Sequence, residues 1–245
     1  MRNKETPSKN FYYLYGKHPV YSALKNPKRQ IDSILCTDDI FKNNKELISL
    51  HPYKIIANND FSKYLGLNQV HQGIAAKVKT IFSDNIKDID ATNPNCKIAI
   101  LDQITDPQNI GAIIRSAAGF EINTIILPSD NSPDENATIA KAASGTLELV
   151  QIIKVTNLRM TMEYLKKQGF WIVGLDAAGV NSFNDKLLSD KIVVVLGSED
   201  KGIRKLVRET CDYLVKIPIS NKVESLNVSN AASIVFHSLY IKHSK

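Results

Sequence analysis

The chain is poor in cysteine, in histidine and in long apolar runs, and each shortage removes a class of function. Cys36, Cys96 and Cys211 are its three cysteines in 245 residues, widely spaced and without a CxxC pair. An odd, scattered set fits a reducing compartment and argues against a disulfide framework or a structural zinc site. The five histidines fall at no metal-ligand spacing, so no metal is expected. The longest strongly apolar run, Ile192 to Leu196, is far too short to cross a bilayer, and no membrane partner is expected. MRNKETPSKN, the opening stretch, is polar and charged with no apolar segment behind it, so it does not read as a secretory signal. The cytoplasm is the expected location. No GxGxxG follows a predicted strand and no phosphate-binding loop occurs, which removes the common nucleotide-dependent oxidoreductases.

What is present is an ordinary globular composition with an uneven charge. Hydrophobic residues make up 43% and charged residues 23%, enough for a proper core. The net charge of +6 sits entirely in the first third: residues 1–80 carry 13 Lys+Arg against 6 Asp+Glu, and the rest 18 against 19. The same third holds nine of the 18 aromatics. Positive charge with aromatic faces suits a phosphate backbone with unstacked bases; a merely solvated basic surface has the same composition.

Periodicity divides the chain into two α/β runs. Residues 1–10 read as a flexible arm. Strands at Phe11–Tyr15, Ile31–Cys36, Lys54–Ala57 and Ile74–Val78 alternate with short helices at Val20–Lys25, Phe41–Leu50 and Phe61–Leu65, predicting a small domain over 11–80. The polar stretch 81–96 reads as a linker. From 97 to 245, strands at Lys97–Leu101, Thr124–Leu127, Val150–Lys154, Trp171–Leu175, Ile192–Leu196 and Tyr213–Ile217 alternate with helices at Ile110–Ala118, Ala137–Ser144, Leu158–Gln168, Ile203–Glu209 and Leu226–Lys242. That pattern predicts a mostly parallel sheet covered on both faces. On these grounds alone it would be an ordinary doubly wound sheet, because knotted chains are nearly absent.

Three polar segments end three of those strands. Asp106 to Arg115 starts a helix, and Arg115 interrupts an otherwise apolar or small run. An arginine so placed faces a polar cleft more readily than a core. Gly197 to Arg204 is a glycine-bounded turn carrying Glu199 and Arg204, for which a structural ion pair is the plain alternative. Ser220 to Asn227 runs into the last helix, where Ser225 and Asn227 also suit ordinary capping. Loops at the carboxyl ends of parallel strands make a composite ligand site.

TDPQNIGAIIRSA, LGSEDKGI and IPISNKVESLNVSNAA resemble, in order and spacing, the three signature motifs of the SpoU (TrmH-type) RNA ribose 2′-O-methyltransferases of the SPOUT superfamily. YGKHPVYSAL and VHQGIAA resemble the two ends of that family's substrate-binding domain, which is similar to ribosomal protein L30e. The two-domain layout most resembles the subgroup acting on guanosine of bacterial 23S rRNA. The resemblance implies an L30e-like amino-terminal domain, a SPOUT domain with a carboxy-terminal trefoil knot, S-adenosylmethionine as cofactor, 23S rRNA or a pre-ribosomal particle as partner, and a homodimer. It implies catalytic roles for Asn109, Arg115, Glu199, Ser225 and Asn227, and cofactor contacts from Gly197, Ile217 and Leu226. A guanidinium holds its proton too tightly to make a good base near neutral pH, so Arg115 is expected to orient and stabilise the developing alkoxide or to bind a phosphate, with Glu199 holding it or accepting the proton through water. Asn221 stands where relatives often carry Gly, and Asn230 where an apolar residue is expected to pack. A tRNA or antibiotic-resistance rRNA methyltransferase, or a non-catalytic assembly factor on the same fold, are the alternatives.

Overall fold

A computed structural model describes residues 10–176, 179, 181–182 and 191–243. All but the last residue of the expected arm lies outside the described residues. The chain forms two compact units: Met1–Ile81 with Glu135–Glu148, and Phe82–Asp134 with Leu149–Lys245.

The first unit is built on a four-stranded sheet of β1 (Phe11–Tyr15), β2 (Ile31–Cys36), β3 (Tyr53–Ile55) and β4 (Ile74–Lys79), in the order β1-β4-β2-β3. β4 pairs antiparallel with both β1 and β2, and β2 pairs parallel with β3. Helix α1 (Lys17–Lys25) starts three residues before the predicted Val20, because Pro19 falls in the first turn, where its missing N–H has no partner to lose. The predicted helix from Phe41 to Leu50 is two short pieces, α2 (Asp38–Asn43) and α3 (Lys45–Ile48), broken where Asn44 leaves helical φ at −140°. A 3₁₀ turn, Asn58–Phe61, leads into α4 (Ser62–Leu65).

The helix over 137–144 belongs to this first unit, although its place in the alternation put it in the second. Observed as α6 (Ala137–Ala143), it is bracketed by two buried carboxylates that share Arg29. The Arg29 guanidinium donates to Glu135 at 2.6 Å and to Glu148 at 2.5 Å, and to the Lys79 carbonyl at 2.8 Å. Glu135 also accepts from the Tyr12 hydroxyl at 2.6 Å, the Thr80 hydroxyl at 2.7 Å and the Ile81 N–H at 2.6 Å. Burial raises the Tyr12 pKa well above the usual phenol value, and Glu135 raises it further. A charge cluster this well bonded is stable as a set and costly to break singly.

The second unit holds a seven-stranded sheet: β5 (Lys97–Asp102), β6 (Thr124–Pro128), β7 (Gln151–Val155), β8 (Trp171–Leu175), β9 (Asn181–Ser182), β10 (Ile192–Gly197) and β11 (Tyr213–Lys216). Their order is β7-β6-β5-β10-β8-β11-β9, and every pair is parallel. Of the central strands, β5 is buried end to end and β10 as far as Leu196, as near-continuous Ile/Val/Leu runs require in a sheet covered on both faces. On one face Ile98, Ile100, Val193 and Val195 pack with Leu158, Met162 and Leu165 of α7 (Leu158–Lys167) and Val207 of α8 (Lys205–Thr210). α5 (Pro107–Gly119) packs against α9 (Val228–His243), with the Ser116 and Ser233 hydroxyls 2.7 Å apart. α9 buries Val228, Ala232, Val235, Phe236 and Leu239, the one-sided pattern expected, while Asn230 is exposed rather than packed.

From Phe82 onward the polar stretch 81–96 belongs to this unit. Ser83 exchanges backbone bonds with Ile152 and Lys154, and Ile89 and Cys96 are buried in the core cluster. Ile86 and Ala91 pack against the same cluster, so a few apolar side chains spaced among polar ones hold the stretch, which composition averaged over it conceals. No helix among the described residues is long and apolar enough to cross a membrane.

Candidate active site

The ends of β5, β10 and β11 supply the site. After β5, Asp106 caps α5 by accepting the Gln108 N–H at 2.9 Å, with Pro107 in the first turn. Asn109 is therefore not the cap, and its amide is left for longer-range bonds. After β10 the chain turns sharply: Ser198 and Gly202 exchange backbone bonds of 3.2 and 2.9 Å, and Gly202 takes φ +65°. A Cβ on Gly197 would lie 2.1 Å from the Gly202 carbonyl carbon and 2.3 Å from the Ile203 nitrogen. Only glycine fits where the chain passes so close to itself.

Past the turn, Arg204 is tied to the wholly buried Asp102, which accepts the Arg204 N–H at 2.8 Å and its Nε at 2.7 Å. The ion pair allowed for between Glu199 and Arg204 is thus made by Asp102 instead. A carboxylate closing the apolar strand KIAILD was the available signal, and sequence reasoning passed over it. The two strand ends are in register, Gly197 opposite Asp102, so the Glu199 turn is anchored on the neighbouring strand.

Glu199, released from Arg204, gathers the three motifs. Its Oε1 accepts from Asn227 Nδ2 at 2.6 Å, Asn109 Nδ2 at 3.3 Å and the Val228 N–H at 3.2 Å. Asn227 Nδ2 also donates to Asn109 Oδ1 at 3.0 Å. Asn227 Oδ1 accepts the Ser229 N–H at 2.9 Å, so the same side chain starts α9 and joins the cluster. Ser225 is exposed two residues earlier. Arg115 does not join Glu199. It stands exposed on α5, six residues and about 240° of helical turn past Asn109, facing another way.

Beside this cluster lies a cavity of about 820 Å³, lined by Gly197, Ile217 and Leu226 together with Glu199 and Ser225. The volume is that of a small-molecule site. Leu196, Val228 and Ile219 add apolar wall, while Asp176 and Glu224 add carboxylates. Asp176 is paired with Arg208 at 3.1 Å. Of the eight residues implied for the site, five line the cavity, Asn109 and Asn227 bond to it through Glu199, and Arg115 stands apart. Among the described residues no group of three or more His, Cys, Asp or Glu is placed to hold a metal ion.

Residues 97–237 match the model of the SpoU rRNA Methylase family. The chain belongs to that family. Residues 13–82 match a second model, described as RNA 2′-O ribose methyltransferase substrate binding. Among SpoU relatives, the 23S rRNA (guanosine-2′-O-)-methyltransferase RlmB of Vibrio vulnificus is 37% identical over 232 residues, covering 91% of this chain and 93% of that one. The Escherichia coli protein of the same name is 34% identical over 231 residues, covering 90% and 94%. A putative TrmH family tRNA/rRNA methyltransferase of Bacillus subtilis is 32% identical over 238 residues, covering 94% and 95%. The SpoU methyltransferase AviRb of Streptomyces viridochromogenes, solved with the cofactor AdoMet, shares the fold with a TM-score of 0.82 at 21% identity, over 96% of this chain and 91% of that one.

Proposed function

We propose that this SpoU chain methylates a guanosine ribose 2′-hydroxyl in 23S rRNA, using S-adenosylmethionine. The observation that carries the reading is the meeting of Asn109, Glu199 and Asn227 at the rim of the cavity lined by Gly197, Ile217 and Leu226. Those lining residues fit the cofactor: apolar side chains for an adenine face, backbone at Gly197 for close approach, and the Glu199 and Glu224 carboxylates for a cationic, hydroxyl-bearing ligand. When bound, the cofactor supplies an electrophilic methyl group on a sulfonium. The chain's own part is to place the hydroxyl and manage its proton. Asn109, Asn227 and the Val228 N–H fix the Glu199 carboxylate, which accepts the 2′-hydroxyl proton through water. Arg115, exposed on α5 and apart from Glu199 and the cavity, is left the second of the two roles expected of it, binding a phosphate of the RNA. Ser225, exposed at the cavity wall, positions the ribose.

The same reading includes an L30e-like first domain over 11–80 that grips RNA, a trefoil knot formed where 216–227 meets the 197–203 turn, a cytoplasmic homodimer, and either free 23S rRNA or a pre-ribosomal particle as substrate. Segments 197–203 and 216–226 share one cavity wall, in support of the knot. Ile234 and Ile241 stand exposed on α9 two turns apart, in support of a dimer face. Mapping 2′-O-methylation in rRNA with and without the protein tests the substrate; an unchanged 23S pattern with a changed tRNA pattern would move the assignment to tRNA. Calorimetry with S-adenosylmethionine, with and without RNA, tests catalysis against an assembly role, which predicts no binding. Full turnover by Arg115→Lys would remove Arg115 from the mechanism.

A further inference from the structure

Side chains alternate across the first unit's sheet, so Phe11, Tyr13 and Tyr15 of β1 share a face with Ala75, Lys77 and Lys79 of β4 and with Ser33 and Leu35 of β2. One end of that face is closed: Leu35 and Ala75 are buried under Phe61, with Tyr13, Tyr15, Ile56 and Leu65 packed against them, so that Tyr13 borders both the closed end and the open one. Toward the other end, one register step away, Tyr13, Ser33 and Lys77 are half-buried. Phe11 lies beside them, also half-buried, and Lys79 is exposed. Tyr64, 38% exposed, borders this region, its ring centroid 6.1 Å from that of Tyr13 and inclined at 64°. The Lys77 ammonium lies 5.9 Å from the Phe11 ring centre and 3.4 Å from Asp32. Lys63, next to Tyr64, is paired with Asp60 at 2.6 Å.

We propose that this open end, with Phe11, Tyr13 and Tyr64 around Lys77, is a stacking platform for unpaired bases of the RNA substrate. The inference rests on the RNA-substrate reading above and says which part of the first unit does the gripping. In an edge-inclined pair the edge of one ring covers one face of the other, which leaves the remaining faces for a flat base, and every base has such a face. A cation among the rings suits a phosphate passing beside the stacked base, and residues 1–80 carry an excess of seven positive charges, 13 against 6. A base locked in a duplex cannot present its face, so the occupant is a single-stranded stretch.

The test uses the full chain and a fluorescent 12-residue unpaired RNA, its perfect duplex as control, and a copy carrying 2-aminopurine. Tyr64→Ala, and Tyr13→Leu with Tyr64→Ala, should weaken binding of the unpaired strand by about five- to 150-fold with little change in the salt slope. Lys77→Gln should instead reduce that slope by about one. In the wild-type chain, which needs no substitution, 2-aminopurine fluorescence should be quenched on binding. Absence of quenching, equal affinity for duplex and unpaired strand, or an unpaired-strand affinity kept within twofold by both aromatic variants would each overturn the platform. Methyl transfer by the wild-type chain is scored separately: intact transfer with no stacking sinks only the platform, and stacking without transfer sinks only the catalytic reading.

Discussion

Two polar clusters, one in each unit, are assembled from residues more than a hundred positions apart, yet they are built to opposite ends. Around Arg29 the carboxylates of Glu135 and Glu148 are sealed, with side-chain exposures of 0% and 4%. Around Glu199 the amides of Asn109 and Asn227 are half-buried or exposed at the rim of a cavity. Sealed charges hold segments together, because neither partner tolerates loss of the other. A carboxylate bonded through one oxygen and left accessible is held in place and still available to a substrate. The contrast separates a cluster that fastens the chain from the one proposed to act on a ligand.

The strongest way to break the contrast is Arg29→Ala. It should cost about 3–5 kcal/mol of stability in urea unfolding, since two buried carboxylates lose their cation. A loss below ~1 kcal/mol would mean the sealed cluster fastens nothing. Next, Glu199→Ala should lower kcat by about 10²–10³-fold while shifting the unfolding free energy by no more than ~0.5 kcal/mol. If it unfolds the protein as Arg29→Ala does, the two clusters are alike after all.

A pH titration sharpens the comparison within the second unit. Burial pushes the Cys211 thiol up to about 12, whereas an unfolded thiol ionises near about 9. Above that pH the unfolded chain sheds a proton the folded chain keeps, so stability is full below about 9 and falls by about 1.4 kcal/mol per pH unit towards 12. Cys211→Ala should lack this component, read as the difference between the two urea-midpoint profiles. Smallest of all, Asn230→Leu should change stability by less than ~0.5 kcal/mol, because Asn230 is exposed on α9. A gain or loss above 1 kcal/mol would restore a packing role.

In the second unit most strands were legible because a buried parallel sheet needs near-continuous apolar runs: Trp171–Leu175 and the core of β10 stand where the pattern put them, as does Ile31–Cys36 in the mixed sheet of the first unit. Helix starts were less so. α5 begins at Pro107, and α9 at Val228, because caps and prolines set those ends rather than the apolar period. At the site, the polar residues of three motifs marked three loops, and their meeting through Glu199 agrees with that. The partner of Arg204 could not be read: Asp102 is 102 residues away and in reach only because β5 and β10 are neighbours.

The sequence by itself determined the alternation of strands and helices, the basic and aromatic first third, and the motifs that make the chain a SpoU protein. Each of these depends on local spacing or on residue type, which a linear chain displays. Tertiary structure alone decided that 135–148 joins the first unit, that Glu199 binds Asn109 and Asn227 and not Arg115, and that Gly197 is glycine because Gly202 and Ile203 pass against it. Those are contacts between distant segments, set by strand order and helix rotation, and no local pattern encodes them.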